Sequence, residues 1–536
     1  MNNVFLLTVI IVVYLFMIAY LGYYGYRQTK NALDYLVAGR NVHPVIMALS
    51  YGATFISTSA IVGFGGVAAM FGMGLLWLTV LNIIVGIAIA FIIFGKRTRK
   101  MGHNLEAHTF PELLGKRYQS TFIQGFSGLV VFVFMPLYAS AVVIGAARFL
   151  EATFPGALNF NVALLIYVLI ILAYVFAGGI KGVMYTDALQ GMIMFVGMVI
   201  LLVMTYINLG GVTQAHQALG AIVDKVPEKL ALAGHQGWTR MPVAGSPSWW
   251  TLLSTIVMGV GVGVLAQPQL VVRFMMVKSD KEINRGVMIG GIFILMMTGV
   301  AFVVGALSNV FFLNDPRFAK IAMEAAGGNI DKIIPLYINS AMPVWFVYVF
   351  MLTLLSAAMS TSSSQFHTMG TAIGRDVFER VILKGKGSQN TILITRIGIL
   401  LGVLATVTLG YKMPPGIIAV ATAIFFGLCA STFLPSYAGA LFWKGMTKAG
   451  AVSSMVVGSL TTVLLFLFVH KKEAEAIGLC QLIFQKPTLA PMPWPVVDPI
   501  LIALPISLVT AVVVSLMTKK FAKDHLAHCF KYIVKK

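Results

Sequence analysis

The sequence predicts an all-α, polytopic membrane protein of about 13 transmembrane helices, and three observations lead there. Of 536 residues, 59% are hydrophobic and only 10% charged, against roughly 25% charged in soluble domains. Apolar runs of about 20 residues, enough to cross about 30 Å of hydrocarbon, recur along nearly the whole chain. The longest polar stretches are 210–248, 313–340 and 470–494. They leave no room for a large soluble domain, which excludes nucleotide-hydrolysing and kinase modules. Cys429, Cys480 and Cys529 lie far apart, so neither a disulfide framework nor a clustered thiolate metal site is suggested.

Taken in order, the apolar runs place spans near 4–24, 45–71, 74–94, 122–147, 161–177, 184–207, 249–272, 287–312, 342–370, 391–410, 415–437, 450–469 and 498–517. The first has no basic residue before it and Arg27 and Lys30 after it. That is the wrong flank for a cleaved signal peptide, so 4–24 is retained as an extra N-terminal helix. The net charge of +20 reports topology rather than nucleic-acid binding. With the N-terminus outside, 26 of the 38 lysines and arginines fall in cytoplasmic segments and 11 in external ones, with Arg396 inside a span. The positive-inside rule therefore predicts a multi-pass protein of the plasma membrane with its N-terminus outside and the basic 518–536 tail in the cytoplasm. Its expected partners are the lipid bilayer and a small organic solute, with no nucleic acid; a monomer suffices for such work, and the oligomeric state is left open.

Two spans read as interrupted. Span 2 carries Gly52, then Ser57-Thr58-Ser59, then Gly63, Gly65 and Gly66; span 7 carries Gly259, Gly261 and Gly263 before Gln267-Pro268-Gln269. Proline removes a backbone donor and clashes with the preceding turn. The two breaks lie five helices apart, which pairs spans 2–6 (45–207) with spans 7–11 (249–437) as inverted repeats and makes 450–517 extra C-terminal helices. The alternative is that the small residues serve close helix packing.

Inside the spans one carboxylate stands out, Asp187 of span 6. A charge buried at that depth needs a cation or water, so Asp187 is a functional candidate, or else an interfacial residue paired to Lys181. Span 9 supplies a complement: Ala357, Ser360, Thr361 and Ser364 form one polar stripe, with Ser363 beside it. Carbonyls and hydroxyls are hard ligands for hard cations and no His or Cys accompanies them, so Na⁺ is the expected ion. Helix-to-helix bonding is the competing role for such hydroxyls.

At "ATFISTSAIVGFGG" (53–66), "FPELLGKRY" (110–118), "AGGIKGVMYTDALQG" (177–191), "AQPQLVVRFMMVKSDKEINRG" (266–286) and "SAAMSTSSSQ" (356–365) the chain resembles the sodium/solute symporters. The resemblance covers nearly its whole length. It implies the leucine-transporter-like fold and sodium-coupled import of a solute by alternating access, without enzymatic chemistry. It further implies a first sodium site at Ala53, Ile56, Ala357, Ser360 and Thr361, and a second, inner one at Asp187, Ser360, Ser363 and Ser364, hence two Na⁺ per substrate. Phe55 stands where the proline symporters carry an acid. "IGAARFLEA" and the 267–286 segment look most like the pantothenate and monocarboxylate branch, which implies an organic anion; proline or another amino acid is the alternative. The residues themselves suggest a substrate pocket of Phe55, Thr58, Ser59, Tyr138 and Gln267, suited to a small amphipathic solute.

Two rivals belong to other classes. A proton-coupled carrier would use Asp187 as its proton site, and a solute-binding receptor would need an output module that the short tail does not offer. Arg148 and Glu151 are expected to form an interfacial ion pair. Arg273 is expected at the cytoplasmic end of span 7 as an anchor or gate partner. His525, His528 and Cys529 are read as part of a lipid-facing basic tail.

Overall fold

A computed structural model describes residues 2–154, 156–385 and 390–533. Eleven helices among them are long and apolar enough to cross a membrane, and two shorter apolar helices, Pro44–Phe55 and Phe160–Phe176, accompany them. This differs from a tally of thirteen full-length spans because the breaks shorten some segments and fuse others. No strand occurs among the described residues; Val42 and Val277 make an isolated bridge.

The helices that build the site are α1 (Asn2–Gln28), α2 (Pro44–Phe55), α3 (Phe64–Phe71), α4 (Thr121–Thr153), α5 (Phe160–Asn208), the π-helical α6 (Thr251–Val260), α7 (Pro268–Phe274), α8 (Asp280–Asn314) and α9 (Val344–Gly370). After them come α10 (Thr391–Lys412), α11 (Ile418–Phe442), α12 (Lys448–Phe468) and α13 (Ile500–Met517). α5 is the central post: α1, α2 and α9 all pack along it, and α8 lies over α2 and α3. α12 and α13 pair with each other and lean on α11.

Local chemistry sets the two breaks. α2 opens with Pro44 in its first turn, where a missing N–H is harmless, and with His43 Nδ1 accepting from Val45 N–H. It stops at Ile56, whose backbone is extended (φ −94°, ψ 104°) and whose N–H makes the last bond, to Gly52 O. The chain resumes with Ser57 O accepting from both Ala60 and Ile61 N–H, followed by a π turn in which Phe64 N–H donates to Ser59 O. α3 ends at Gly72 (φ +73°), where a Cβ would stand 2.0 Å from Trp238 O. The second break falls at extended Gln267 (φ −74°, ψ 114°), directly before Pro268 at the start of α7. α5 is itself kinked at Gly179 (φ 58°), against the Tyr35 ring, and so joins two predicted spans into one helix.

Candidate functional site: two oxygen clusters and an aromatic cavity

Ending α2 at Ile56 strands carbonyls. With Ile56 extended, the carbonyls of Ala53 and Thr54 turn from the helix axis toward α9 instead of closing another turn. Ser360 Oγ donates to Ala53 O at 2.8 Å and to Ala357 O at 3.2 Å. Thr361 Oγ1 donates to Ala53 O at 3.3 Å and Thr54 O at 3.1 Å. Ala53, Ala357, Ser360 and Thr361 therefore meet in one cluster of main-chain and hydroxyl oxygens, all fully buried. Ile56 marks the end of α2, and its N–H bonds Gly52 O. Every donor atom is a neutral oxygen, the set a hard monovalent cation prefers over softer metals.

One turn further along α9 lies the second cluster. Asp187 of α5 is fully buried. Its Oδ2 accepts from Ser50 Oγ (2.8 Å), Thr54 Oγ1 (3.3 Å) and Ser364 Oγ (3.5 Å), and its Oδ1 from Ser363 Oγ (3.4 Å). Ser363 Oγ also donates to Ser360 O at 3.0 Å, joining the clusters. Asp187, Ser360, Ser363 and Ser364 thus come together, and with them come Ser50, Thr54 and Arg273, which the sequence reading left out.

Arg273 Nη2 stands 3.0 Å from Asp187 Oδ2, and both side chains have no exposure. Asp187 is accordingly not the partner of Lys181, which pairs with Asp34 at 3.3 Å. Nor is Arg273 an interfacial anchor. The break at Gln267 starts α7 inside the protein, and six residues at 1.5 Å each carry Arg273 only about 9 Å beyond it. Two signals were available: Ser50 and Thr54 share a helix face at i, i+4, and Arg273 follows the break too closely to reach the interface.

The third element is a cavity lined by Phe55, Ser57, Asn82, Tyr138 and Phe426, among others, with Val260, Thr298 and Thr422 completing the wall. Phe55 stacks on Phe426 with centroids 6.5 Å apart, and Tyr138 meets Phe426 edge-on at 5.3 Å. Room for water centres is about 20 Å³, the space of about one water. Asn82 Oδ1 is buried there with no hydrogen-bond partner among the described residues. Of the five residues expected to line a pocket, Phe55 and Tyr138 do. Thr58 Oγ1 instead donates to Val142 O at 2.7 Å, Ser59 N–H donates to Ser57 Oγ at 3.1 Å, and Gln267 Nε2 donates to Gly263 O at 3.3 Å while its Oε1 accepts from Gln269. Polar residues beside a helix break have backbone groups to satisfy: the Thr58 and Gln267 side chains turn to neighbouring groups, whereas Ser59 Oγ is buried without a hydrogen-bond partner among the described residues, and none of the three lines the cavity.

Elsewhere, Arg148 bonds Glu151 at 2.9 Å and stacks over Phe160. His525 Nε2 lies 2.8 Å from Arg117 O, against the buried Arg117 that Tyr118, Phe521 and Phe530 surround. Next to the 371–390 segment, Glu112 is gripped by Lys116 (3.1 Å), His108 (3.2 Å) and Arg375 (3.2 Å). Burial alone would raise the Glu112 carboxyl, but the His108 hydrogen bond and the charges of Arg375 and Lys116 hold it well below the usual carboxylate range.

The model of the sodium:solute symporter family matches residues 35–458. Sodium/proline symporters of Staphylococcus aureus strains JH9 and NCTC 8325 / PS 47 are each 27% identical over 473 residues, covering 85% of this chain and 85% of the relative. A structure described as the substrate-bound outward-open state of a Na⁺-coupled sialic acid symporter superposes with a TM-score of 0.75 at 16% identity, over 96% of this chain and 99% of that one.

Proposed function

The chain belongs to the sodium:solute symporter family and uses Na⁺ as its coupling ion, and on that premise we propose that it imports a small carboxylate-bearing solute with two Na⁺ per turnover. One observation carries the reading: where α2 breaks, neutral oxygens of α2 and α9 gather beside a buried carboxylate of α5. The first Na⁺ binds at Ala53, Ile56, Ala357, Ser360 and Thr361, the second at Asp187, Ser360, Ser363 and Ser364. Each cluster bridges the broken helix or α5 to α9, so an ion in it fixes the relative position of these helices. Sodium and solute then stabilise a shared closed state, and each raises the other's affinity by the same factor. The two halves, 45–207 and 249–437, act as inverted repeats that rock about the breaks, with the N-terminus outside and the tail in the cytoplasm of a plasma-membrane protein.

The solute sits in the aromatic cavity, which widens from the one-water space seen here. Its wall offers aromatic faces and the hydroxyls of Ser57, Tyr138, Thr298 and Thr422, and no charged side chain. Such a wall suits an apolar body with one hydrogen-bonded end, as in a monocarboxylate or a pantothenate-like anion. Proline is the second reading, favoured by the curated relatives, which are sodium/proline symporters, and by the unpartnered Asn82 Oδ1, an acceptor for an ammonium. A thermal-shift screen of short monocarboxylates, pantothenate, proline and sugars, with and without Na⁺, tests both: stabilisation must require Na⁺ and be confined to one class. Stabilisation by sugars alone would overturn the carboxylate reading.

A further inference from the structure

The guanidinium of Arg273 holds two of the four residues assigned to the second sodium, Asp187 and Ser364. Its Nη2 lies 3.0 Å from Asp187 Oδ2, 2.7 Å from Ser364 Oγ and 2.5 Å from Thr54 Oγ1, and its Nε donates to Ser50 Oγ at 3.0 Å. Asp187 and Ser364 are members of the second sodium set; Ser50 and Thr54 bond the same carboxylate oxygen. One carboxylate and one guanidinium, both without exposure, leave the cluster electrically balanced. A second cation entering it would share that carboxylate with the guanidinium at contact distance and low dielectric, where like charges repel most strongly. The two cations exclude each other.

The bonds also show what must move. Nη1 donates to Gln269 O on Arg273's own half-helix. Every other bond of the guanidinium crosses to α2, α5 or α9. α7 is only seven residues long and begins at the extended Gln267, whose side chain makes no capping bond. Drawing Arg273 off Asp187 therefore releases polar ties from α7 to three helices at once, and sodium entry and α7 displacement become one event.

Resting on the two-sodium reading, we propose that Arg273 is a tethered counter-cation: it neutralises Asp187 whenever the inner sodium is absent and is displaced when that sodium binds. The sodium-free carrier then completes its return without an unpaired buried carboxylate, and sodium enters the inner site only against Arg273. In proteoliposomes, Arg273→Gln should lower the sodium concentration for half-saturation by roughly 5- to 150-fold, the usual span of coupling between two sites. It should also open a radiosodium exchange that needs no solute. Arg273→Lys, which keeps a cation, should remain near wild type. A sodium titration of Arg273→Gln that superposes on wild type, with no solute-free exchange, overturns the proposal. A measurement that needs no change at Arg273 uses spin labels at exposed Lys278 and Lys448 (each →Cys): their separation must shift on adding sodium, and an unchanged distance is contrary to the proposal. Asp187→Asn separates the layers. A fall from two sodium ions to one with a sodium-indifferent Arg273 leaves the symport reading standing and removes the competition, whereas an unchanged ratio in Asp187→Asn removes the reading itself.

Discussion

Asp187 and Glu112 are both buried carboxylates in ion pairs, and their surroundings differ in kind. Asp187 faces one guanidinium and four hydroxyls. Glu112 faces His108, Lys116 and Arg375, with Arg380 also within 3.8 Å, and its Oε2 accepts His108 N–H as well. Hydroxyls can turn their lone pairs to an arriving cation and then to another partner, whereas a ring of fixed cations can only hold. The difference teaches how to sort buried acids in such a protein: one claimed by a single cation among hydroxyls is free to exchange ions, and one claimed by several is a fixture of the fold.

The largest effect that sharpens this contrast is expected at the fixture. Glu112→Gln takes from the buried Arg375 its nearer carboxylate, leaving Glu379 at 3.8 Å, and should destabilise the protein by up to about 3–5 kcal/mol, lowering the thermal unfolding midpoint in detergent while sodium dependence of the remaining uptake stays as in wild type. A sodium shift in that variant would break the distinction. Next in size, Ser360→Ala and Thr361→Ala should each weaken sodium binding by about 1–3 kcal/mol, or roughly 5- to 150-fold in affinity, read as the sodium concentration for half-maximal uptake. The smallest is a pH effect. Because folding depresses the Glu112 carboxyl, its stabilisation is present above the unfolded value of about 4.3 and is lost as pH falls from there toward the folded value. Thermal midpoints measured between neutral and acidic pH should show that acid-side loss in wild type and lack it in Glu112→Gln.

Much of this architecture is legible in the sequence, for physical reasons that also explain what is not. The breaks are local events, and Gly, Ser and Pro at 52–66 and 259–268 announce them. The α9 stripe is periodic, so Ser360, Thr361, Ser363 and Ser364 can be placed on one side of a helix before any neighbour is known. Cross-helix partners carry no such signature. That Ser50 and Thr54 face Asp187, that Arg273 reaches it from α7, or that Asn82, Phe302 and Phe426 close the cavity with Phe55 depends on how the helices are laid together. Thr58, Ser59 and Gln267 sit at the breaks, and their neighbours rather than their residue types determine which way their polar groups turn.

The stoichiometry of transport tests the account most directly. A tenfold sodium gradient is worth about 1.4 kcal/mol per ion and 100 mV about 2.3 kcal/mol per net charge moved. One Na⁺ with a monoanion is electroneutral and concentrates the solute only about tenfold, whereas two Na⁺ add the membrane potential and reach on the order of several thousandfold. In proteoliposomes with imposed sodium gradients and potentials, wild type should reverse at two sodium ions per solute and respond to voltage, and Asp187→Asn should reverse at one. A wild-type protein that carries a monoanion at a one-to-one ratio, indifferent to membrane potential, would contradict the account and leave Asp187 and Arg273 as a structural pair.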